Sequence, residues 1–298
     1  LVPETDYYFV VAGRAYGLNE AGESQLFTSG NWSNVLAVST SVDETLLSAT
    51  YIEKLSATID GMTVQTQAVN GTQYLFLPAA ADLEALPLAA TVKDREEPVT
   101  LSGDRGSVTL SGESTPIHMP SLATADDSGA YTLAVTLGEL KPFTLRVMAS
   151  HSIGTVYLTS GSADQGRDYV DADKSNAVSN ASMRLTGADG VVIYDGGLKQ
   201  LKARGNSTFT YTDKKSYQIK LAAGTDLLGT GESVKTWVLL ANYFDATQMH
   251  DKLFKDLAAD LGMPYTASCN WVDLFYDGEY RGTYLLSEKV SVGATSVD

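Results

Sequence analysis

Along residues 50–160 apolar and polar positions alternate in short runs, among them Ala57-Thr-Ile59, Gln73–Leu77, Ser107–Leu110, Tyr131–Leu137 and Phe143–Met148. A period of two marks strands with one buried face, and Gly, Pro, Asp and Ser interrupt the runs where turns are needed. The pattern predicts a β-sandwich. Pro78–Leu88 breaks it and predicts a helical turn or an edge loop, while residues 165–182, rich in Asp, Asn and Ser, predict an exposed connection.

From Met183 the texture becomes mixed. Met183–Leu185 and Val191–Tyr194 flank Asp189-Gly190, a hairpin signal. Strands are expected at Lys199–Ala203, Ser216–Leu221 and Thr236–Ala241, the last apolar almost throughout and so buried. A helix is expected from Asp245, which forms a capping box with Gln248. Met249, Leu253, Leu257 and Leu261 stack into one apolar stripe, Asp251 and Lys255 can pair one turn apart, and Gly262 with Pro264 ends the helix. Trp271–Tyr276 and Glu279–Glu288, joined by Asp277-Gly278, predict a second hairpin.

The length of 298 residues allows two or three domains, and the chain, opening at Leu1, is read as a piece of a longer protein. Its 36 acidic and 21 basic residues leave a formal net charge of -15. That balance argues against nucleic acid or an anionic membrane surface as a partner, because both need an extended basic face. No apolar run reaches the roughly eighteen residues of a membrane span. Cys269 is the only cysteine, so no internal disulfide forms, and its apolar flank predicts a structural thiol. His118 has no His or Cys nearby, and Asp168, Asp171 and Asp173 lack the Gly and distal Glu of a calcium loop, so neither group predicts a metal site.

Against this acidic background one segment is locally cationic. Leu201-Lys-Ala-Arg-Gly-Asn-Ser-Thr-Phe209 is followed by Lys214-Lys-Ser-Tyr-Gln-Ile-Lys-Leu221. Gly205 and Asn206 tolerate positive φ, so the backbone can bend and point N–H groups outward. Arg204, Lys214, Lys215 and Lys220 add positive charge beside the turn. The combination points to an anion site, with phosphate as the anion.

Residues 1–42 contain Leu1-x-Pro3-x-Thr5-x-Tyr7, alternation at Phe9, Val11 and Gly13, and a second short strand within Gly30–Thr40. This spacing resembles the tyrosine corner and last two strands of a fibronectin type III module. The cationic segment, with Trp237-Val-Leu-Leu-Ala-Asn-Tyr-Phe-Asp245, Lys252-Leu-Phe-Lys-Asp-Leu-Ala258 and Val272–Glu288, resembles the CotH family of spore-coat-H-type atypical protein kinases. The resulting fold expectation is mainly β, then α+β. It has a fibronectin-like fragment at 1–42, an Ig-like β-sandwich spacer at 43–164, and a CotH kinase-like domain at 165–298 with an incomplete lobe and one long helix.

The resemblance implies ATP- and Mg²⁺-dependent phosphorylation of serine or threonine in a coat or cell-surface protein. The fibronectin-like spacing, the single cysteine and the acidic, Tyr/Thr/Ser-rich composition point to an extracellular or surface location on a bacterium, with cell wall or polysaccharide as a further partner. Arg204, Asn206 and Ser207 would line the phosphates. Lys215 or Lys220 would be the phosphate-gripping strand lysine, Lys220 being favoured with the register open, and the Glu288 backbone would approach adenine. Two departures stand out: Phe209 replaces the family's usual Trp, and His250-Asp251 replaces an Arg-Asn pair. The metal-binding and catalytic aspartates of the family lie C-terminal to these blocks, so the chain by itself is expected to be inactive. The alternative reading is a surface adhesin or polysaccharide-associated scaffold with a degenerate kinase-like fold.

Overall fold

The computed structural model describes residues 47–111 and 114–290 in full, and within residues 1–46 the backbone of four strands. Thr5–Phe9 pairs antiparallel with Leu36–Thr40, and Ala12–Leu18 with Ser24–Trp32. The side chains of the expected fibronectin-like module, including its tyrosine corner, lie outside the described residues.

Two sheets follow. One orders Ser107–Leu110, Val99–Ser102, Tyr131–Leu137, Phe143–Ala149, Thr72–Leu77 and Gln67–Val69; the other orders Thr115–Ile117, Leu86–Val92, Ile52–Ile59 and Met62–Gln65. The alternation seen in the sequence is the burial pattern: Leu133, Val135 and Leu137 are buried, as are Leu55, Ala57 and Ile59 in the facing sheet. His118 has a structural task, its Nδ1 accepting from Ser121 N at 3.0 Å to cap a short helix.

The remainder is a closed barrel of seven strands: β1 (Gly154–Thr159), β2 (Ser182–Thr186), β3 (Val192–Arg204), β4 (Ser216–Thr225), β5 (Val234–Leu240), β6 (Cys269–Tyr276) and β7 (Glu279–Glu288). Around the ring the order is β3-β2-β1-β6-β7-β5-β4, and β4 pairs back to β3. A ring with an odd number of strands cannot alternate direction throughout. One parallel contact is therefore required, and it is β1 with β6. The other six contacts are antiparallel.

Every second side chain points inward, as a barrel requires. Val156, Leu158, Leu185, Tyr217, Trp237 and Tyr284 belong to one buried cluster that fills the interior, so the barrel is a packed core and not a pore. The sequence predicts an incomplete kinase-like lobe and places residues 154–159 in the sandwich spacer; in the structure that strand is part of the barrel wall. Its outward Tyr157, with Phe275 of β6, instead joins the sandwich core. Gln65 of the sandwich bonds the β6–β7 turn through Gln65 N to Gly278 O at 2.8 Å and Nε2 to Asp277 O at 2.9 Å. Phe76 and Tyr280 pack across the same junction, tilted by 34° with centroids 4.7 Å apart.

The polar stretch after β1 is not wholly an exposed connection. It contains the helix α1 (Arg167–Ala172), whose Val170 is fully buried in the barrel cluster. Short α2 (Ser207–Tyr211) follows β3, and α3 (His250–Asp260) follows β5. Helix α3 starts five residues later than expected because Asn242 and Gln248 adopt positive φ, 45° and 59°. Asp245 still serves the helix from a distance, its Oδ2 accepting from His250 N at 2.9 Å. The expected Asp251–Lys255 pair gives way to Lys252–Asp256, with Nζ to Oδ1 at 2.7 Å, because Lys255 donates to Ser287 Oγ at 2.8 Å. That bond holds the helix to β7 by its polar side. The apolar stripe consequently faces out, with Leu253 56 % and Leu261 69 % exposed.

Candidate functional site

At the end of the barrel where β3 stops and β4 begins there is a cavity of about 310 Å³. Arg204, Gly205, Ser216, Asn242, Asp245 and His250 are among its lining residues. Arg204 is the last residue of β3, opposite Ser216 in the ladder. Its guanidinium is half-buried, and burial alone moves its pKa, downward, with no acid to offset the loss of water. A fixed cation with no anionic partner at a concave surface is chemically an anion acceptor, and the guanidinium fork suits phosphate oxygens.

Gly205 makes the turn. Its φ is +104°, a region that favours glycine, and a Cβ there would sit 2.2 Å from Thr208 Oγ1. On the opposite wall Ser216 Oγ accepts from Ala241 N at 3.0 Å, tying the start of β4 to the end of β5. Asp245 accepts from Thr247 Oγ1 at 2.7 Å and from Thr247 N at 3.0 Å. The Thr247 hydroxyl, together with the His250 amide and imidazole, holds the Asp245 carboxyl well below the usual carboxylate range. His250 Nδ1 lies 2.8 Å from Asp245 Oδ1. A carboxylate can only accept, so Nδ1 donates and Nε2 is left for a ligand.

The six residues singled out by sequence do not converge here. Arg204 lines the cavity; Asn206 and Ser207 are exposed at the start of α2, beside the Gly205 turn. Asn206 Oδ1 accepts from Lys174 Nζ at 3.2 Å. Lys215 is occupied with backbone, donating to Phe209 O and Thr212 O, both at 2.6 Å. It satisfies the carbonyl end of α2, with its ammonium 4.9 Å from the Phe209 ring. Lys220 is exposed on the outer surface, because Ile219 and Leu221 on either side of it point into the barrel. Glu288 ends β7, opposite Trp237 in the middle of β5, and lines a separate cavity of about 460 Å³ with Ser268 and Lys289. Burial raises its pKa.

What the sequence reading did not see is the polar end of the barrel interior. Tyr217 OH donates to Asp171 of α1, at 2.9 Å to Oδ1 and 3.2 Å to Oδ2. Burial pushes the Asp171 carboxyl up, opposed by that bond and by Arg281, Arg167 and Lys215. The three acids once compared with a calcium loop are thus separately employed: Asp168 pairs with Arg167, Asp171 takes Tyr217, and Asp173 accepts from Ser175 N at 2.8 Å. Asp273 is fully buried, accepting from Tyr280 OH at 2.8 Å, and Asp277 accepts from Ser160 N at 2.7 Å. Among the described residues no three His, Cys, Asp or Glu side chains are grouped to hold a metal ion. Cys269 is half-buried, and burial raises its thiol pKa. No helix among the described residues is long and apolar enough to cross a membrane.

No curated protein matches the chain. From within β3 through the last hairpin, the stretch that forms the Arg204 cavity, residues 201–296 match the family model described as CotH kinase protein.

Proposed function

We propose that the Arg204 cavity receives the phosphates of ATP in a CotH-type kinase-like module, and that the full protein transfers phosphate to serine or threonine of a coat or cell-surface protein outside the cell. The observation that carries this reading is Arg204: a half-buried guanidinium that makes no ion pair among the described residues, in a cavity of the segment that matches the CotH kinase family, where Asp245 is already bonded to Thr247 and His250 and Asp251 also lines the wall. Arg204 would pair with phosphate oxygens through its fork. The Gly205 turn would let backbone come close to them, and His250, aimed by Asp245, would add a donor when protonated.

Mg²⁺-ATP would supply the transferable phosphoryl group. The described residues fit its phosphates better than its metal, since no three acids are grouped. Phosphoryl transfer needs carboxylates to hold the metal and orient the hydroxyl. In this reading residues 1–298 bind nucleotide without turning it over. The adenine would lie along the cavity wall near Tyr243 and Phe244, since Glu288 belongs to a different cavity.

Amide hydrogen exchange with and without Mg²⁺-ATP tests the placement. Protection is expected in residues 204–209 and 241–251. Protection confined to residues 268–290 would put the nucleotide in the Glu288 cavity and overturn the assignment.

A further inference from the structure

The other end of the barrel also opens into a cavity, of about 430 Å³, and nothing in the nucleotide reading uses it. Ile193, near the start of β3, lines it, whereas Arg204 ends the same strand. The two cavities are thus separated by about 35 Å of extended chain. Its floor is made of inward side chains of the barrel, Leu185, Val272 and Leu286, and Trp271 and Ile193 form walls. No lysine or arginine lines it.

One ionisable group does. Asp226, just after β4, is wrapped by its own loop: Oδ1 accepts from Leu228 N at 3.2 Å and Thr230 N at 3.1 Å, and Oδ2 from Gly231 N at 2.7 Å. These amides, Gly231 first, lower its pKa and keep it charged. Gly229 also acts on the carboxylate through its backbone, and the partly exposed group keeps its negative charge at the cavity edge. An apolar floor with a fixed negative charge at its edge is complementary to a molecule with a hydrocarbon body and a cationic head. The volume lies in the ordinary range of small-molecule pockets, roughly 300–1,000 Å³.

We infer that this end of the barrel is a second ligand site, independent of the nucleotide reading, for a small amphipathic cation such as an aryl-alkyl amine. Binding puts the aromatic body on Leu185, Val272 and Leu286 and the ammonium beside the Asp226 carboxylate.

Calorimetric titration of residues 1–298 with 1-naphthylmethylammonium, and separately with 1-naphthalenesulfonate, tests it. The ammonium is expected to bind at least about ten-fold more tightly, the scale of a single exposed charge–charge preference. Asp226→Asn, which keeps one amide-accepting oxygen and replaces the other, is expected to reduce that preference to about two-fold. Ile193→Lys, at a position 45 % exposed and so safe for folding, is expected to abolish binding of the ammonium. No binding of the ammonium at millimolar concentration, equal or tighter binding of the sulfonate, or ammonium binding unchanged by Ile193→Lys would each overturn the inference.

Discussion

Tyr217→Phe isolates the contribution of one hydrogen bond to the barrel. The ring is fully buried, edge-on to Tyr276 at 5.7 Å and tilted to Tyr284 at 6.2 Å. Phenylalanine keeps those contacts and the volume, so the change removes only the hydroxyl and its bonds to Asp171. A hydrogen bond to a charged acceptor contributes about 1.5–3 kcal/mol, and Tyr217 supplies the side-chain hydrogen bonds to the half-buried Asp171. For a folded unit of this size that corresponds to a fall in melting temperature of roughly 3–10 °C.

The cost also depends on pH. Burial raises the folded-state pKa of Asp171, so between the unfolded and folded values the native state holds a proton that the unfolded chain has lost. Stability tied to this group is complete below the unfolded pKa and falls as pH rises through the folded one. Removing the Tyr217 donor raises the folded pKa further, because that bond favours the carboxylate. The penalty of Tyr217→Phe is therefore larger at pH 7.5 than near pH 4. Scanning calorimetry at both pH values measures it. A penalty below about 0.5 kcal/mol, or one independent of pH, would refute the argument that this bond serves a buried, charged acceptor.

Gly205→Ala is expected to destabilise by about 1–3 kcal/mol in urea unfolding, since φ of +104° and a Cβ 2.2 Å from Thr208 Oγ1 leave no relaxed place for a methyl group; a neutral change would contradict the turn. Lys214 is buried enough that its ammonium titrates at about 8, while its Nζ donates to Thr283 O at 2.6 Å. A lowered basic pKa means the unfolded state binds more protons between about 8 and 10.4, so this group's contribution to stability improves as pH rises through that window. Lys214→Met should lose that improvement, and parallel profiles of the two proteins from pH 7.5 to 9.5 would count against it. Lys220→Ala should leave ATP affinity unchanged, the side chain being exposed on the barrel's outer surface; a ten-fold loss would restore it to the phosphate site.

Much of the barrel was legible because burial in a strand is written locally. Ile219 and Leu221, and Val272 and Leu274, show their inward positions as alternation, and the apolar run around Trp237 and Leu239 marks a strand buried on both faces. Closure was not legible. It depends on β1 lying parallel to β6, with Gly154 opposite Val272, and no local pattern encodes a pairing across so much chain. Register decided the lysines in the same way: a residue-type count cannot tell Lys220, which points out, from Lys215, which bonds the carbonyls of α2. Val170, flanked by Tyr169 and Asp171, carries no periodic signal, so α1 looked like loop. The stripe Leu253, Leu257, Leu261 was correctly read as apolar, but its direction was not, because Lys255 and Ser287 fix which side of α3 meets the barrel. For the site, the Gly205 turn and Arg204 were visible in residue type alone, whereas Asn242, Asp245 and His250 join them only through the positive-φ turn after β5.

The central claim is that Arg204 is the phosphate-binding cation of this chain. Calorimetric titration of ATP into the wild-type chain and into Arg204→Met, which keeps length without charge, tests it most directly. Loss of a charge-assisted bond of about 1.5–3 kcal/mol predicts a Kd roughly 10- to 150-fold weaker, with adenosine binding unaffected. Equal ATP affinity in the two proteins, or no ATP binding by the wild type, would contradict the account.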